Sequence, residues 1–242
     1  MRVNSTNFFQ MDSSDILYED NHLIIVNKRV GEIVQGDKTG DEPLSSIVAK
    51  YVAMKSEKPG DAFIGVPHRL DRPVSGAAIF AKTSKGLERM NELFRCGDVR
   101  KIYWAIVAKM PEQEEGELVH FLLRNERQNR SFAYKKPGPG TKEAKLRYRV
   151  IAKSDNYFLL EIELLTGRHH QIRCQLSAIG SPIKGDLKYG APRSNPDGGI
   201  SLHARSIEFT HPVKKSRVFV EANPPEDSLW SYFLKSVPQI KP

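Results

Sequence analysis

Cysteine is scarce in this sequence: Cys96 and Cys174 are the only two among 242 residues, and they lie far apart in the chain. That count excludes a disulfide-stapled scaffold and fits a reducing compartment. Long apolar runs are missing too. None approaches the roughly 18 residues that cross a bilayer, so no membrane partner is expected. The opening MRVNSTNFFQMDSSD has no apolar h-region, which leaves export without support and points to the cytoplasm. Glycine (17) and proline (15) stand at ordinary levels, too low for a fibrous or wholly disordered chain. Several chemical signatures are absent as well. Neither a G-x-x-x-x-G-K-[ST] loop nor a G-x-G-x-x-G turn occurs, which removes the usual support for nucleotide-triphosphate and dinucleotide chemistry. There is no C-x-x-C pair and no G-x-S-x-G elbow.

What is present is an ordinary globular composition, 39% hydrophobic and 27% charged, with enough length for one or two domains. The charge is uneven. Between Arg124 and Lys153 stand ten basic residues against Glu126 and Glu143, which equals the whole formal net charge of +8. Phe132, Tyr134 and Tyr148 interleave with them. Cations alternating with stacking faces suit a surface that tracks a polyanion, and a solvated hairpin is the plainer reading of the same run.

The patterning predicts an α+β chain. Two apolar runs within Asp15–Lys28 read as a hairpin around Glu19-Asp20-Asn21. Leu44, Ile47, Val48, Tyr51 and Val52 predict a helix with Pro43 at its first position. Strands are expected at Phe63–Pro67 and Gly76–Lys82, around a polar loop His68–Ser75. A helix capped by Thr83 and stopped by Gly97 should follow. Further strands are predicted at Ile102–Ala108, Glu117–Leu123, Lys145–Ala152 and Tyr157–Leu165, then a helix from Arg168 to Ile179. Late strands at Ile200–Ala204 and Arg217–Glu221 precede a helix around Leu229–Leu234. Strands joined by short turns, with few helices between them, argue a mostly antiparallel sheet.

His68-Arg69-Leu70-Asp71-Arg72-Pro73 is the compact constellation in this frame. Asp71 is flanked by cations on both sides, which favours the anion a nucleophile or base needs, and Pro73 stiffens the chain behind it. From spacing alone, an ordinary loop acid in surface ion pairs is the commoner outcome. His169, His170 and Cys174 put two soft ligands one turn apart with no evident third, and a buried histidine pair is the favoured reading over zinc.

HRLDRPVSG (His68 to Gly76) closely resembles the signature of the RluA-type RNA pseudouridine synthases, H-R-L-D-x-x-[TV]-S-G. Three further blocks occur in the family's order: YEDNHLIIVNK (Tyr18 to Lys28), RKIYWAIV (Arg100 to Val107), and LLTGRHHQIRCQL (Leu164 to Leu176) followed by GSPIKGDLKYG and LHARSIEFTHP. The resemblance runs from about Tyr18 to Pro212. Two departures stand out. Arg29 replaces the proline that usually follows the first-motif lysine, and with the first motif starting at Tyr18, no N-terminal S4 domain is expected.

The resemblance implies a pseudouridine-synthase-like domain over 15–236, with an extension at 1–14 and a tail at 237–242. It implies isomerisation of uridine to pseudouridine in ribosomal or transfer RNA, by a monomer that needs no cofactor and no metal. Asp71 is then the catalytic acid residue, and Arg173 pairs with it. Tyr103 stacks on the uracil, and Arg69 helps hold the opened RNA. Arg124, Arg127, Arg130, Lys135 and Lys136 become the candidate RNA grip. Two other readings compete: a catalytically silent RNA-binding protein on the same fold, and a metal-dependent nuclease. The second would need clustered carboxylates, which the arginines around Asp71 oppose.

Overall fold

Asp20 turns the first hairpin. Its carboxylate accepts the main-chain amides of His22 and Leu23, both at 2.8 Å, and so folds β1 (Ile16–Glu19) onto β2 (Leu23–Lys28). The computed structural model describes residues 12–57 and 60–237. Most of the expected extension 1–14 and all of the expected tail beyond Val237 lie outside the described residues.

After the hairpin come α1 (Leu44–Lys55), β3 (Ser75–Ala81), α2 (Ser84–Cys96) and β4 (Val99–Val107). A basic hairpin region follows: β5 (Glu115–Asn125), β6 (Arg130–Tyr134) and β7 (Lys142–Lys153). The chain ends through β8 (Phe158–Leu164), α3 (Gln171–Ala178), β9 (Leu202–Thr210), β10 (Arg217–Glu221) and α4 (Ser228–Ser236). The ten strands among the described residues form one sheet in the order β1-β2-β3-β9-β4-β8-β7-β5-β6, with β10 on β9. Every pairing is antiparallel except β3 with β9, where Ser75 and Gly76 run alongside His203 and Ala204. The fold is thus α+β on a mixed, mostly antiparallel sheet.

Strand alternation sorts the core onto two faces. Ile24, Val26, Phe80, Tyr103, Ala105, Leu146 and Ile162 pack against Ile47 and Val48 of α1 and against Ile172 and Leu176 of α3. Their neighbours in sequence point the other way. Ile25 and Ile79 meet Met90 of α2, and Trp104 and Ile106 meet Trp230 and Phe233 of α4. Leu70 and Val74, on either side of Asp71, belong to the α1/α3 face. That is the face to search for a site.

Gly76 makes the parallel junction. Its φ is +114°, and a Cβ there would stand 2.4 Å from the Ala204 carbonyl oxygen and 2.5 Å from the Ala204 nitrogen, both main-chain atoms. Only glycine lets β3 lie this close to β9.

Five expectations need adjustment. Phe63–Pro67 forms no strand and touches the sheet by one bridge, Gly65 with Ala81. Pro67 has no N–H to offer, and the next β3 amide, Ile79, donates to the His68 ring instead, at 2.9 Å. Conversely β6 was hidden: its residues read as part of a charged run, yet it pairs with β5 over Arg130–Tyr134. Pro43 is the N-cap and not the first helical residue, so α1 starts one place later than predicted, and its first amides donate to the Ile33 and Val34 carbonyls. Helix α3 begins at Gln171, not Arg168, because His170 takes a left-handed φ of 52°. β9 continues past Ala204 because Arg205 is buried with its guanidinium 4.5 Å from the Trp104 ring centre.

Candidate active site

The Asp71 loop is pinned at both ends by buried polar groups. Lys28, at the end of β2, is 1% exposed and spends its three ammonium protons on carbonyls: Arg29 (2.9 Å), Arg72 (3.1 Å) and Val74 (2.6 Å). Burial pulls its pKa down to about 8. His68 enters the loop with Nε2 accepting from Ile79 N–H, its ring stacked 4.9 Å from Phe94. At the exit, Ser75 Oγ bonds His203 Nδ1 at 2.9 Å, and His203 Nε2 donates to the Ala222 carbonyl at 3.0 Å. Arg72 turns outward to Asp41 (2.6 Å) and Thr39 (2.7 Å). These contacts fix the backbone on both sides of Asp71, which stays partly exposed.

Arg173 comes from α3 to meet it. The guanidinium Nη1 donates to Asp71 Oδ2 at 3.0 Å, while Nε and Nη2 form a two-pronged pair with Asp186 at 2.7 and 2.9 Å. Asp186 is 1% exposed. His170 reaches the same Asp71 oxygen from the helix start, its Nε2 3.4 Å away.

Of the sequence candidates, Asp71 and Arg173 are in direct contact. Tyr103 projects from β4 on the same face, 8% exposed, and its hydroxyl is held protonated above the usual tyrosine range by burial, with the Asp71 charge adding to the effect. Arg69 is exposed, with no carboxylate within 4 Å among the described residues. His170 is weighed in the sequence only with His169 and Cys174 as a metal ligand, and Asp186, Tyr189 and Lys28 are not singled out there. The motif blocks contained them, but no local spacing links Lys28 or Asp186 to a loop so distant in sequence.

The basic run divides between the two faces. Arg124 shares the parity of Leu122, which packs with α3's Cys174, so it lies on the Asp71 face. Arg130 lies over the Tyr189 ring, 5.1 Å from its centre, the same distance at which Arg173 meets that ring. Arg127, Lys135 and Lys136 are exposed around the β5–β6 hairpin, without a described carboxylate within 4 Å. Arg147 and Arg149 have the opposite parity to Leu146 and Tyr148 and face away from Asp71. There they join a line of alternating charge across the sheet: Arg217–Glu208, Arg100–Glu163 (2.9 Å), Arg147–Glu117 (3.0 Å) and Arg149–Glu161 (2.8 Å). Lys153 pairs with Glu114. The run's +8 therefore does not form one continuous positive surface.

His169, His170 and Cys174 have other partners. The two rings stack at 3.8 Å, His169 bonds Ser131 Oγ and Asn129, and Cys174 Sγ lies 3.2 Å from the Ser131 carbonyl. No group of three His, Cys, Asp or Glu side chains among the described residues could hold a metal ion. No described helix is long and apolar enough to cross a membrane.

The site thus sets a loop aspartate, Asp71, against a helix arginine, Arg173, on the face of the sheet that also carries the buried Tyr103. The chain belongs to the RNA pseudouridine synthase family, of RluA type: the family described as RNA pseudouridylate synthase matches residues 22–178. Ribosomal large subunit pseudouridine synthase C of Vibrio cholerae is 31% identical over 213 residues, 86% of this chain and 64% of that protein. Ribosomal large subunit pseudouridine synthase D of Zymomonas mobilis is 31% identical over 223 residues, 88% of this chain and 70% of that protein. An "Uncharacterized RNA pseudouridine synthase" of Synechocystis sp. is 32% identical over 204 residues, 82% of this chain and 62% of that protein. The chain thus spans less than two thirds of the length of some of these relatives. Among solved structures, human RNA Pseudouridylate Synthase Domain Containing 4 shares the fold with a TM-score of 0.75 at 22% identity, over 92% of both chains.

Proposed function

We propose that this chain isomerises uridine to pseudouridine in RNA, with Asp71 as the reacting carboxylate. The observation that carries the reading is the Asp71–Arg173 contact: a loop carboxylate held through Oδ2 alone, in a loop whose backbone is pinned on both sides. In the reaction the N1–C1′ bond of uridine breaks, the uracil turns, and carbon 5 joins C1′. The carbon-5 hydrogen leaves as a proton and N1 regains one, so atoms balance without a cofactor or group donor. Asp71 either attacks the ribose or removes a ribose proton, and a positioned carboxylate suits both. Arg173 orients it, Tyr103 stacks on the uracil, and Arg69 helps hold the opened RNA. A uracil within a helix must be flipped out to reach them.

Arg124, Arg127, Arg130, Lys135 and Lys136 serve as the RNA grip in this reading. The names of the Vibrio and Zymomonas relatives make large-subunit ribosomal RNA the first substrate to try, with transfer RNA second. The chain is taken to act as a monomer in the cytoplasm.

Transcripts of both RNAs carrying tritium at uridine carbon 5 test the proposal, since each pseudouridine formed releases one tritium to water. Wild type should release label and Asp71→Asn should not, while the variant still binds RNA. Release by Asp71→Asn within tenfold of wild type would overturn the assignment, a barrier change of only about 1.4 kcal/mol. Binding without release by either protein would favour the silent RNA-binding reading.

A further inference from the structure

We propose that His170 is a positioning residue: with Arg173 it holds Oδ2 of Asp71 and leaves Oδ1 to the reaction. The inference rests on the reading of Asp71 as the reacting carboxylate. Two nitrogens approach one oxygen: Arg173 Nη1 donates to it at 3.0 Å, and His170 Nε2 lies 3.4 Å away, within reach of a hydrogen bond that a small shift of the ring would complete. Arg173 stands in the first turn of α3, and His170 is the N-cap immediately before that helix.

The hydrogen-bond network assigns the histidine's tautomer. Tyr189 Oη accepts the Ser131 amide at 2.8 Å and lies 3.0 Å from His170 Nδ1. A hydroxyl that already accepts one hydrogen bond has its own proton left to donate, and Nδ1 is the atom it faces. His170 therefore carries its ring proton on Nε2, toward Asp71. The reverse tautomer would aim a lone pair at the carboxylate and leave the Tyr189 proton without this acceptor. The ring is also neutral: burial, with Arg173, His169 and Lys188 nearby, pushes its pKa down to about 3, against the opposing pull of Asp71. A neutral donor orients the carboxylate without adding a second full charge to the one Arg173 supplies.

The backbone is bent to achieve this. His170 is one of four non-glycine residues with positive φ among the described residues, at 52°. That conformation is unfavourable for a side-chain-bearing residue and persists where surrounding contacts demand it. Here it ends the preceding turn and sends the ring back beneath the loop, where it is only 8% exposed. His169, stacked on it at 3.8 Å, braces its other face.

Three variants separate positioning from packing, assayed on an RNA the wild-type protein modifies. His170→Leu should lower kcat by roughly ten- to a hundredfold, the range of one hydrogen bond to a charged group, with RNA affinity unchanged. His170→Gln, whose amide nitrogen falls near the place of Nε2, should recover most of that loss. Tyr189→Phe should also lower kcat, because it removes the proton that sets the tautomer, and it carries the test should His170→Leu not fold. Full kcat in a folded His170→Leu or in Tyr189→Phe would overturn the proposal. So would equal losses in the Leu and Gln variants, which mark a packing role. Asp71→Asn run in parallel distinguishes the failures: an active Asp71→Asn defeats the reading of the site, whereas an inactive one beside a fully active His170→Leu defeats only the role given to His170.

Discussion

Arg173 gives two of its hydrogen bonds to Asp186 and one to Asp71. The division follows burial: Asp186 is 1% exposed, while Asp71 faces the open side of the site. Asp186 fixes the plane and direction of the guanidinium, and the remaining nitrogen is then aimed at Asp71. A lysine could not reproduce this, since its ammonium has no planar fork.

Asp186→Ala should therefore destabilise the protein strongly, because it takes two charged hydrogen bonds from a buried cation and leaves it the single bond to Asp71. Removing one member of such a pair costs about 3–5 kcal/mol. Urea denaturation read by circular dichroism checks this, and a change below about 1 kcal/mol would mean Arg173 holds its place without Asp186.

Gly76→Ala should be worse tolerated than any surface substitution. The new methyl would collide with main-chain atoms of Ala204, which cannot move without parting β3 from β9. A loss of more than about 3 kcal/mol, or failure to accumulate as folded protein, is expected. A melting temperature equal to wild type would show that the junction can open harmlessly.

Acid should weaken the fold well above the carboxylate range. Burial pushes His68 and His203 down to about 4, with Lys101 and Arg205 respectively acting in the same direction. In the unfolded chain both rings take up protons near pH 6.5, but the folded protein resists until about pH 4. Over that window the unfolded state binds more protons, so stability falls as pH is lowered from 6.5 to 4. Each ring contributes a slope of up to about 1.4 kcal/mol per pH unit. Denaturation midpoints at several pH values should show the trend, and His68→Gln should make it shallower.

Salt dependence of RNA binding should respond to the β5–β6 hairpin and not to the sheet face that carries Arg147 and Arg149. Replacing Arg127, Arg130, Lys135 and Lys136 with Gln should flatten the plot of log affinity against log salt by roughly two to three units, if most of them touch phosphate. Arg147→Gln with Arg149→Gln, facing away from Asp71 and already paired with glutamates, should leave the slope unchanged. Identical slopes for the first set and wild type would send the RNA elsewhere.

How far the sequence could be read depended on whether a feature is local. The Asp20 turn, the Thr83 cap and the Gly97 stop are decided by neighbours, and they stand where the pattern put them. The HRLD loop was legible as a motif, and the alternation of β7 told its buried side. What escaped was set at long range. Nothing near Lys28 announces that its ammonium clasps the carbonyls of Arg72 and Val74. Counting charge along the chain merged two opposite faces, because acids on β5 and β8 that neutralise Arg147 and Arg149 are remote in sequence. Arg205 broke the apolar pattern of β9, and its burial against Trp104 could be known only once β4 lay beside it.

The place of β9 has a consequence for biosynthesis. It lies between β3 and β4, although β5 to β8 and α3 are all made before it. Until Leu202–Thr210 leaves the ribosome, both flanking strands keep an open apolar edge, the kind that recruits strands from other chains. At about 5–20 residues per second, the wait after β4 is on the order of ten seconds. A nascent chain halted before Leu202 would carry Asp71, Tyr103 and Arg173, yet have no frame to bring them together. Assembly of the site therefore waits on the synthesis of β9.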